Sequence, residues 1–375
     1  SVRGDIAYLR PNTPSTIDIG GEATTYIDDF EGAQIPINIG TAQNWSLASV
    51  PVSFDGVDFG GSKNNHLDYG KKRAKLAWYT IDQLFYSNTS LRPKNIDPEE
   101  LSRAEVRPVQ SLELFPERNL DITQRTNLQT FDLSYYPNER GPYNYEEPFN
   151  SDRPEELDHP EDRWAGITRG LTTTDFQNSN IQYIEFWIQD PYENYSITGS
   201  DGIVTNPTPT NQKGSLYINL GSISEDILKD GRKVFENGLP EDGVVDIGVN
   251  IDTTAVANVP TEKSLLYAFD TGNNTRTNQD IGLDGMSDLE EVNRFPDIGL
   301  SDPSSDNYHF YRGSDLDNSN ASILRRYKNY NNTEGNSPTA ALSQEAYPTS
   351  ATNNPDVEDV DRDQTMNTLD AYWQY

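Results

Sequence analysis

Short stretches in which apolar and polar residues alternate recur along this chain, and they predict β-strands. Residues 181–191 predict a strand with at least one face against a core, because the apolar Ile184, Phe186 and Ile188 alternate there with Glu185, Trp187 and Gln189. Helical patterns are fewer: they cover residues 225–240 and 321–330, while residues 71–86 favour a helix or a helix–strand mixture. The pattern therefore predicts a mainly-β chain with a few short helices. Further strand candidates lie at residues 1–10, 24–32, 35–54, 214–224, 244–252 and 372–375.

Two antiparallel sheets packed face to face suit such strands and the many turn residues between them. We therefore expect a β-sandwich, with a jelly roll as one form of it, built from strands near residues 24–54, 181–220 and 244–270. Residues 87–165 are rich in Pro, Asn, Arg and Glu and predict a long, loop-rich insertion. The expected domain organisation is a leading strand in residues 1–20, the sandwich in residues 21–330, and an acidic segment with a return strand in residues 331–375.

The composition indicates a folded and strongly acidic chain. Only 34% of its 375 residues are hydrophobic, but 10% are aromatic, a content that disordered chains lack. Acidic residues outnumber basic ones by 60 to 29, so nucleic acids and anionic lipid headgroups are poor partners. The absence of Cys excludes thiol catalysis, thiolate-bound zinc and disulfide bonds. The three His are far apart in sequence and do not favour a multi-histidine metal site.

The sequence contains neither an apolar run long enough to span a bilayer as a helix nor an N-terminal signal segment. It begins with SVRGDIAYLR and ends with AYWQY, and both ends have the character of strands. We therefore expect both ends to continue into a longer protein.

Residues 280–291, DIGLDGMSDLEE, are similar to an EF-hand calcium loop. Such a loop takes oxygen ligands from positions 1, 3, 5, 7, 9 and 12 and has Gly at position 6. Gly282 stands at position 3 and brings no side-chain ligand, so a water or a residue from elsewhere must replace it. An Asp-Gly turn in an acidic loop is the alternative interpretation. The candidate ligands are Asp280, Asp284, the backbone carbonyl of Met286, Asp288 and Glu291.

Residues 359–370, DVDRDQTMNTLD, place oxygen-bearing side chains at positions 1, 3, 5, 9 and 12 of the same pattern. Gln364 replaces the usual Gly at position 6, and a coincidence within an acidic chain is the alternative. Hard oxygen ligands without His or Cys favour calcium over zinc or a redox metal. We expect both sites to be structural, because a saturated carboxylate cage leaves little room for substrate. The candidate ligands are Asp359, Asp361, Asp363, the carbonyl of Thr365, Asn367 and Asp370.

A third acidic group is formed by Asp28, Asp29 and Glu31. Paired carboxylates can act as acid and base in glycoside hydrolysis, but three acids within four residues do not by themselves make that geometry. A turn, or a cation site at the rim of a sandwich, is the simpler interpretation. The sequence also has no nucleophile elbow, no phosphate-binding Gly-rich loop and no His-based triad. We therefore expect no catalytic residues and no enzyme activity.

Several longer stretches, in the same order and spread over nearly the whole chain, resemble a single family. This family is SprA (Sov), the outer-membrane translocon of the type 9 secretion system of the Bacteroidota, and the likeness is to its central part. The stretches are long and idiosyncratic, which makes the resemblance specific. They are TTYIDDFEGAQ (24–34), DLSYYPNERGPYNY (132–145), NIQYIEFWIQDP (180–191), SEDILKDGRKVFENGLP (224–240), DIGLDGMSD (280–288) and PDVEDVDRDQTMN (355–367).

The resemblance implies a very large transmembrane β-barrel through which folded cargo leaves the cell, with roles in protein transport and gliding motility. The implied partners are the rest of the barrel, a PorV-like outer-membrane barrel protein, a plug protein and the secreted cargo. This chain is too short to form that barrel. We expect a structural and docking segment, inserted between barrel strands or cut from them, that forms part of the cap. Its expected location is the outer membrane or cell surface, with the extracellular side favoured over the periplasmic side.

A calcium-dependent carbohydrate-binding module or surface adhesin is the alternative function. The acidic strand end at residues 28–32, the calcium-like loops and the aromatic content support it. A glycan site needs exposed Trp or Tyr rings, whereas Trp187 lies in a predicted strand where it can simply pack.

Overall fold

The computed structural model describes most of the chain between residue 37 and residue 375. The predicted strands at residues 1–10 and 24–32, and with them Asp28, Asp29 and Glu31, lie outside the described residues. Most of the predicted strand at 244–252 also lies outside them. The described ranges are 37–51, 64–119, 126–173, 183–190, 214–232, 251–260, 279–334 and 354–375, together with two β-hairpins and a few isolated residues between them.

The chain divides into two compact units: Ser1–Ile39 with Leu171–Gln189, and Gly40–Gly170 with Asp190–Tyr375. In the smaller unit, residues 183–189 have no regular secondary structure, so the strand predicted at residues 181–191 is not formed there. Its alternating apolar residues, among them Ile184, Phe186 and Ile188, are exposed. Alternation suits one face of a sheet, but a strand also needs a neighbouring backbone to complete its ladder of hydrogen bonds.

The larger unit contains twelve described strands, which pair two by two and always antiparallel. Helices are few and short, as expected, and the longest described one has seven residues. None of the described helices could cross a membrane. The paired strands are β1 (Ser46–Leu47) with β6 (Ile167–Thr168), β2 (Ser53–Phe54) with β3 (Val57–Asp58), β4 (Ala74–Tyr79) with β5 (Asp132–Arg140), β7 (Tyr195–Gly199) with β8 (Gly202–Asn206), β9 (Asn219–Ser222) with β12 (Ala371–Gln374), and β10 (Ile251–Thr253) with β11 (Asn258–Pro260). The α-helices are α1 (Gln83–Tyr86), α2 (Ser111–Leu114), α3 (Asp288–Arg294), α4 (Ser314–Asn318) and α5 (Ile323–Tyr327).

The low helix content and the small antiparallel sheets agree with the prediction of a β-rich chain, but the β-sandwich is not confirmed. Among the described residues each strand pairs with one other strand only, and no two larger sheets face each other. Strand β12 confirms the strand predicted near the end of the chain, and it pairs with β9 from the segment 214–224. The predicted domain boundaries at residues 20 and 330 stay predictions.

Strand β4 is the centre of the larger unit, because both of its faces are covered. Trp78 lies in one hydrophobic cluster with Tyr143 and Tyr145, which follow β5. Tyr79, on the opposite face, lies in a second cluster with Tyr327 of α5, and their rings stack with centroids 4.2 Å apart. Residues 87–165, predicted as a loop-rich insertion, thus supply β5 and part of the core.

Two helix predictions are confirmed and one is not. Residues 71–86 form strand β4 and then helix α1, whose N-cap Asp82 accepts a hydrogen bond from the Leu84 N–H (2.9 Å). Helix α5 lies within the helix predicted at 321–330, and its N-cap is Ser322. The helix predicted at 225–240 does not form in its described part, residues 225–232, where the chain makes a turn around an Asp side chain.

Candidate metal centre

Five acidic side chains from separate segments meet inside the larger unit, and we call them the Glu291 cluster. They form two triads, and in each triad the three oxygens that could bind a metal lie within 4.8 Å of one another. Glu291 is common to both triads. The first triad is Asp284, Glu291 and Asp306, and the second is Asp288, Glu291 and Glu334.

Helix α3 positions two of these carboxylates. Ser287 caps its N-terminus, and Glu290 in the first turn accepts a hydrogen bond from the Ser287 N–H (3.0 Å), as in a capping box. Residues three apart on a helix lie on the same face, so Asp288 and Glu291 point to the same side of α3. The cap fixes where the helix begins, and therefore where these two carboxylates stand.

The loop before α3 makes room for a carboxylate from elsewhere. Gly282 has φ of +59°, and a Cβ at this position would overlap Oδ2 of Asp306. Gly282 occupies position 3 of the EF-hand-like pattern, where the loop itself brings no ligand. The Asp306 carboxylate lies beside Gly282, so a residue 24 positions further along the chain places an oxygen where the loop itself brings none.

The hydrogen bonds of the cluster are unevenly distributed. Asp284 accepts hydrogen bonds from the Met286 N–H (2.9 Å), the Tyr145 hydroxyl (2.9 Å) and the Ser304 hydroxyl (2.8 Å). Oε2 of Glu291 accepts one from the Ser304 N–H (3.0 Å), but Oε1 has no hydrogen-bond partner.

Further oxygens of the cluster are left without partners although they are buried. Neither carboxylate oxygen of Asp306 has a hydrogen-bond partner of good geometry, although the Tyr143 hydroxyl and the Glu334 carboxyl lie near enough to lower the pKa of Asp306 against the larger effect of burial. Oε2 of Glu334 has no partner either. Asp284, Glu291 and Asp306 are completely buried, and Glu334 is 7% exposed. A buried carboxylate oxygen without a partner destabilises the fold by several kcal/mol if it is charged, unless a proton or a cation compensates it.

Burial and mutual repulsion change the acidity of these groups. Burial, the largest cause, raises the pKa of Asp284 to about 7. Burial and the charges of Asp306 and Asp284 raise the pKa of Glu291 to about 11. The pKa values of Asp306 and Glu334 are also raised well above the ordinary range, first by burial and then by neighbouring carboxylates. The cluster therefore requires positive charge from protons or from a cation.

Two basic side chains whose charges act on the cluster, Lys75 and Arg294, donate their hydrogen bonds elsewhere. Lys75 donates a hydrogen bond from Nζ to Oδ1 of Asn329 (2.8 Å), and burial lowers its pKa to about 8. Arg294 donates to the sulfur of Met286 (3.4 Å) and to the carbonyl of Thr254. Neither Lys75 nor Arg294 forms an ion pair with the oxygens that lack partners in the cluster.

The first sequence-predicted loop thus contributes three of its candidate ligands to the cluster: Asp284, Asp288 and Glu291. Asp280 is buried, and its charge contributes to the raised pKa of Glu334, but it belongs to neither triad. The side chain of Met286 is buried against Arg294, and its carbonyl remains a predicted ligand.

The second predicted loop, residues 359–370, is organised differently. Oδ1 of Asp359 accepts the Asp363 N–H (3.1 Å) and Oδ2 accepts the Gln364 N–H (3.0 Å). Asp370 accepts the Ser224 N–H (2.6 Å). Asp359 and Asp361 form a metal-capable triad with Glu225, which the sequence interpretation missed. Both oxygens of Glu225, however, already accept backbone N–H groups of residues 360, 361 and 367.

Three acidic turns in the chain share one backbone design. In each, an Asp accepts the N–H groups of the residues four and five positions later, and the residue three positions later has φ between +54° and +60°. The three begin at Asp226, Asp302 and Asp359. This turn replaces the helix that was predicted from residue 225 onward, because it binds the backbone N–H groups in a different way.

Sequence reasoning missed Asp306 and Glu334. Asp306 could have been found, because Asp302 and Asp306 repeat the spacing of Asp359 and Asp363. Glu334 lies in an Asn-rich segment, and nothing in its neighbours singles it out.

One region of this chain matches a known protein family. No curated protein matches its sequence. Residues 288–375 match the SprA_N family, whose description is motility related/secretion protein. The matched region includes Asp288, Glu291, Asp306 and Glu334, and also the loop 359–370. This part of the chain is therefore similar to a family of motility and secretion proteins.

Proposed function

We propose that this chain is a structural and docking segment of a type 9 secretion translocon, with no catalysis of its own, and that calcium in the Glu291 cluster stabilises it. The match to a motility and secretion family supports the assignment to a secretion system. The single observation that carries the structural role is the buried group of carboxylates with oxygens that lack hydrogen-bond partners. Calcium in residues 359–370 stays a prediction from the sequence.

Burial favours a structural role over catalysis for these acids. Asp284 and Glu291 have no exposed surface, so a polymer substrate cannot reach them in this fold. A general acid or base has to come within hydrogen-bond distance of its substrate. The purified chain should therefore hydrolyse no glycoside, ester or peptide. Turnover that is lost in a Glu291→Gln variant and kept in an Asp297→Asn variant would contradict this assignment.

Calcium fits the chemistry of the cluster better than other metals. Its donors are carboxylate oxygens, and calcium takes six to eight oxygen ligands in a flexible geometry. Backbone carbonyls, such as that of Met286, and water can complete such a shell. The ligands come from α3 and the loop before it, from the turn at residues 302–306 and from Glu334, so a bound ion would add to the hydrogen bonds that already join these segments.

The proposed place of the segment is the cap of the outer-membrane barrel, on the extracellular side. The proposed partners are the rest of the barrel, a PorV-like barrel protein, a plug protein and secreted cargo. In the native cell, the full-length protein should co-purify with the PorV-like and plug proteins, and its deletion should stop cargo secretion. Unchanged secretion after the deletion would refute the proposed function.

Sidedness can be measured because the chain has no Cys of its own. Leu91 and Phe149 are both more than 60% exposed in the larger unit, so Leu91→Cys and Phe149→Cys provide reactive thiols with little effect on packing. A membrane-impermeant maleimide should label both variants on intact cells, relative to the unsubstituted protein. Labelling only after the outer membrane is opened would place the segment in the periplasm.

One observation favours the carbohydrate-binding alternative. Tyr183 is 76% exposed and Trp187 is 71% exposed in the smaller unit, whereas the sequence interpretation allowed Trp187 to pack. Exposed aromatic rings are the feature that a glycan site needs. Binding to a glycan array that is lost in a Trp187→Ala variant would support this second function. The absence of binding to any glycan on the array would argue against it.

A further inference from the structure

The two triads of the Glu291 cluster offer separate places for cations. The first triad uses Asp284 and Asp306, and the second uses Asp288 and Glu334. Glu291 alone belongs to both. A carboxylate has two oxygens, so one residue can bind two metal ions at once, as in two-metal sites whose ions lie about 3.5–4 Å apart.

One divalent ion does not compensate the charge of the cluster when all five carboxylates are ionised. The five carboxylates of the two triads carry a charge of −5 when they are ionised. One calcium ion leaves −3 in a region where four of the five side chains are buried, and a second ion reduces this to −1. Charge that is buried without compensation destabilises a fold strongly. The negative charge that remains after the first ion has bound therefore favours binding of a second ion.

Oxygens without partners occur in both triads. In the first triad they are Oε1 of Glu291 and both oxygens of Asp306, and in the second triad Oε2 of Glu334 joins Oε1 of Glu291. Glu291 and Asp306 are completely buried, and Glu334 is more than nine-tenths buried. These observations are independent of the count of acidic residues, because in an acidic turn such as that of Asp359 both carboxylate oxygens accept backbone N–H groups.

We propose that the Glu291 cluster binds two calcium ions that share the Glu291 carboxylate as a bridging ligand. Asp284 and Asp306 complete the protein ligands of the inner ion, and Asp288 and Glu334 those of the outer ion. This proposal rests on the proposed function, which assigns calcium to the cluster. The pair of ions ties α3 both to the turn at 302–306 and to Glu334.

The two ions differ in their access to solvent. The inner ion has only completely buried carboxylates around it. The outer ion is held in part by Asp288, which is partly exposed and accepts hydrogen bonds from the side-chain amide of Asn307 (3.2 Å and 3.3 Å). The outer ion should therefore exchange faster and be removed first by a chelator.

Counting bound calcium in matched variants tests the bridge. Native mass spectrometry of the purified chain, with calorimetric titration of calcium alone, gives the number of ions in each variant. Asp306→Asn and Glu334→Gln should each lose one ion relative to the unsubstituted chain, and Glu291→Gln should lose two. Asp297→Asn, an exposed acid that follows α3, should lose none. Any ion in the loop 359–370 is common to all variants and cancels in these differences.

The outcomes distinguish the proposal of two bridged ions from the underlying proposal that the cluster binds calcium. If Glu334→Gln keeps every ion while Asp306→Asn and Glu291→Gln each lose one, the cluster holds a single calcium ion and the bridge is refuted, but the proposed calcium stands. If none of the three variants loses an ion, both proposals fail. Loss of one ion from Glu291→Gln and one from each of the others also contradicts a shared ligand.

A measurement on the unsubstituted chain avoids any folding defect of the variants. Terbium replaces calcium, and the ring of Tyr145 can sensitise its luminescence, since the Tyr145 hydroxyl binds Asp284. With half of the terbium replaced by neodymium, terbium that has a neodymium neighbour about 4 Å away should transfer energy to it, and this part of the emission should decay severalfold faster. An unchanged lifetime would show that the sites are far apart or that only one exists, and would overturn the bridge.

Discussion

The Glu291 cluster and the loop 359–370 follow nearly the same EF-hand spacing in sequence, and the structure uses their carboxylates in opposite ways. In the loop, Asp359 binds two backbone N–H groups and Asp363 accepts the Thr365 N–H (2.7 Å). In the cluster, Asp306 binds none through either carboxylate oxygen. The loop is also largely exposed, whereas most of the cluster is buried.

The difference teaches that spacing alone does not identify a cation site. An Asp that accepts neighbouring N–H groups is explained by its own turn, since such turns are common wherever Asp occurs. A buried carboxylate without donors is not explained in this way, because its desolvation is uncompensated. By spacing alone, the loop 359–370 fits the EF-hand pattern better than the loop 280–291, with five side chains in register against four.

Removal of calcium is expected to have the largest effect on this comparison. A cation that binds only the folded chain stabilises it by about 2.7 kcal/mol per site at a hundredfold excess over its Kd. At roughly 2–4 °C per kcal/mol, one ion raises the Tm by about 5–10 °C. A chelator should lower the Tm by at least this amount and open residues 279–334 to protease before residues 354–370. Identical melting and proteolysis with chelator and with calcium would contradict any structural calcium.

Replacement of one ligand in each region should sharpen the comparison. Asp306→Asn removes a charge from the cluster and should remove one ion's share of the calcium-dependent stability, about 2.7 kcal/mol at the same excess of calcium. Asp363→Asn keeps an oxygen for the Thr365 N–H and should cost less than about 1 kcal/mol, equally with and without calcium. Thermal melts of both variants in calcium and in chelator measure the two effects.

The reverse result would be equally informative. If Asp363→Asn lowers the calcium-dependent rise and Asp306→Asn does not, the loop 359–370 is the calcium site, as its spacing predicts, and protons compensate the cluster.

Gly282→Ala should have a smaller effect, and Gly299→Ala is its matched control. Both residues have positive φ (+59° and +75°), so a side chain costs about 1–2 kcal/mol at either position. A Cβ at Gly282 would also overlap Oδ2 of Asp306, whereas nothing lies within 4 Å of a Cβ at Gly299. Gly282→Ala should therefore weaken calcium binding in a titration and Gly299→Ala should not. Equal affinities in both variants would show that Asp306 is not a ligand.

Local patterns predicted the short elements of this fold but not its architecture. Strand β4 with helix α1, strand β12 and helix α5 all fall where the sequence placed them. The β-sandwich required knowledge of which strands pair, and this depends on contacts between distant segments. β9 and β12, for example, pair across about 150 residues, and no local pattern specifies that partnership.

The site was predictable to the same extent. Position within the loop identified Asp284, Asp288 and Glu291. The Gly at position 3 indicated that a ligand from elsewhere is needed, but only the fold shows that the Asp306 carboxylate lies beside this Gly. Acidic spacing also led to the loop 359–370, where the structure supplies backbone donors for the same side chains. The sequence shows which carboxylate oxygens are available as ligands. Which of them already accept hydrogen bonds depends on the tertiary fold.

The smallest expected effect decides what the loop 359–370 is. Asp359→Asn turns one of two acceptor oxygens into an NH2 group that faces a backbone N–H, and the loss of that hydrogen bond should cost about 1 kcal/mol. Asp226→Asn makes the same change in the turn at residues 226–231, for which no calcium is predicted, and so serves as the matched control. If both loops are simple acidic turns, the two variants lose similar stability in calcium and in chelator. If calcium binds at 359–370, the loss in Asp359→Asn exceeds that in Asp226→Asn only when calcium is present, because the variant then also loses the ion's share of the stability.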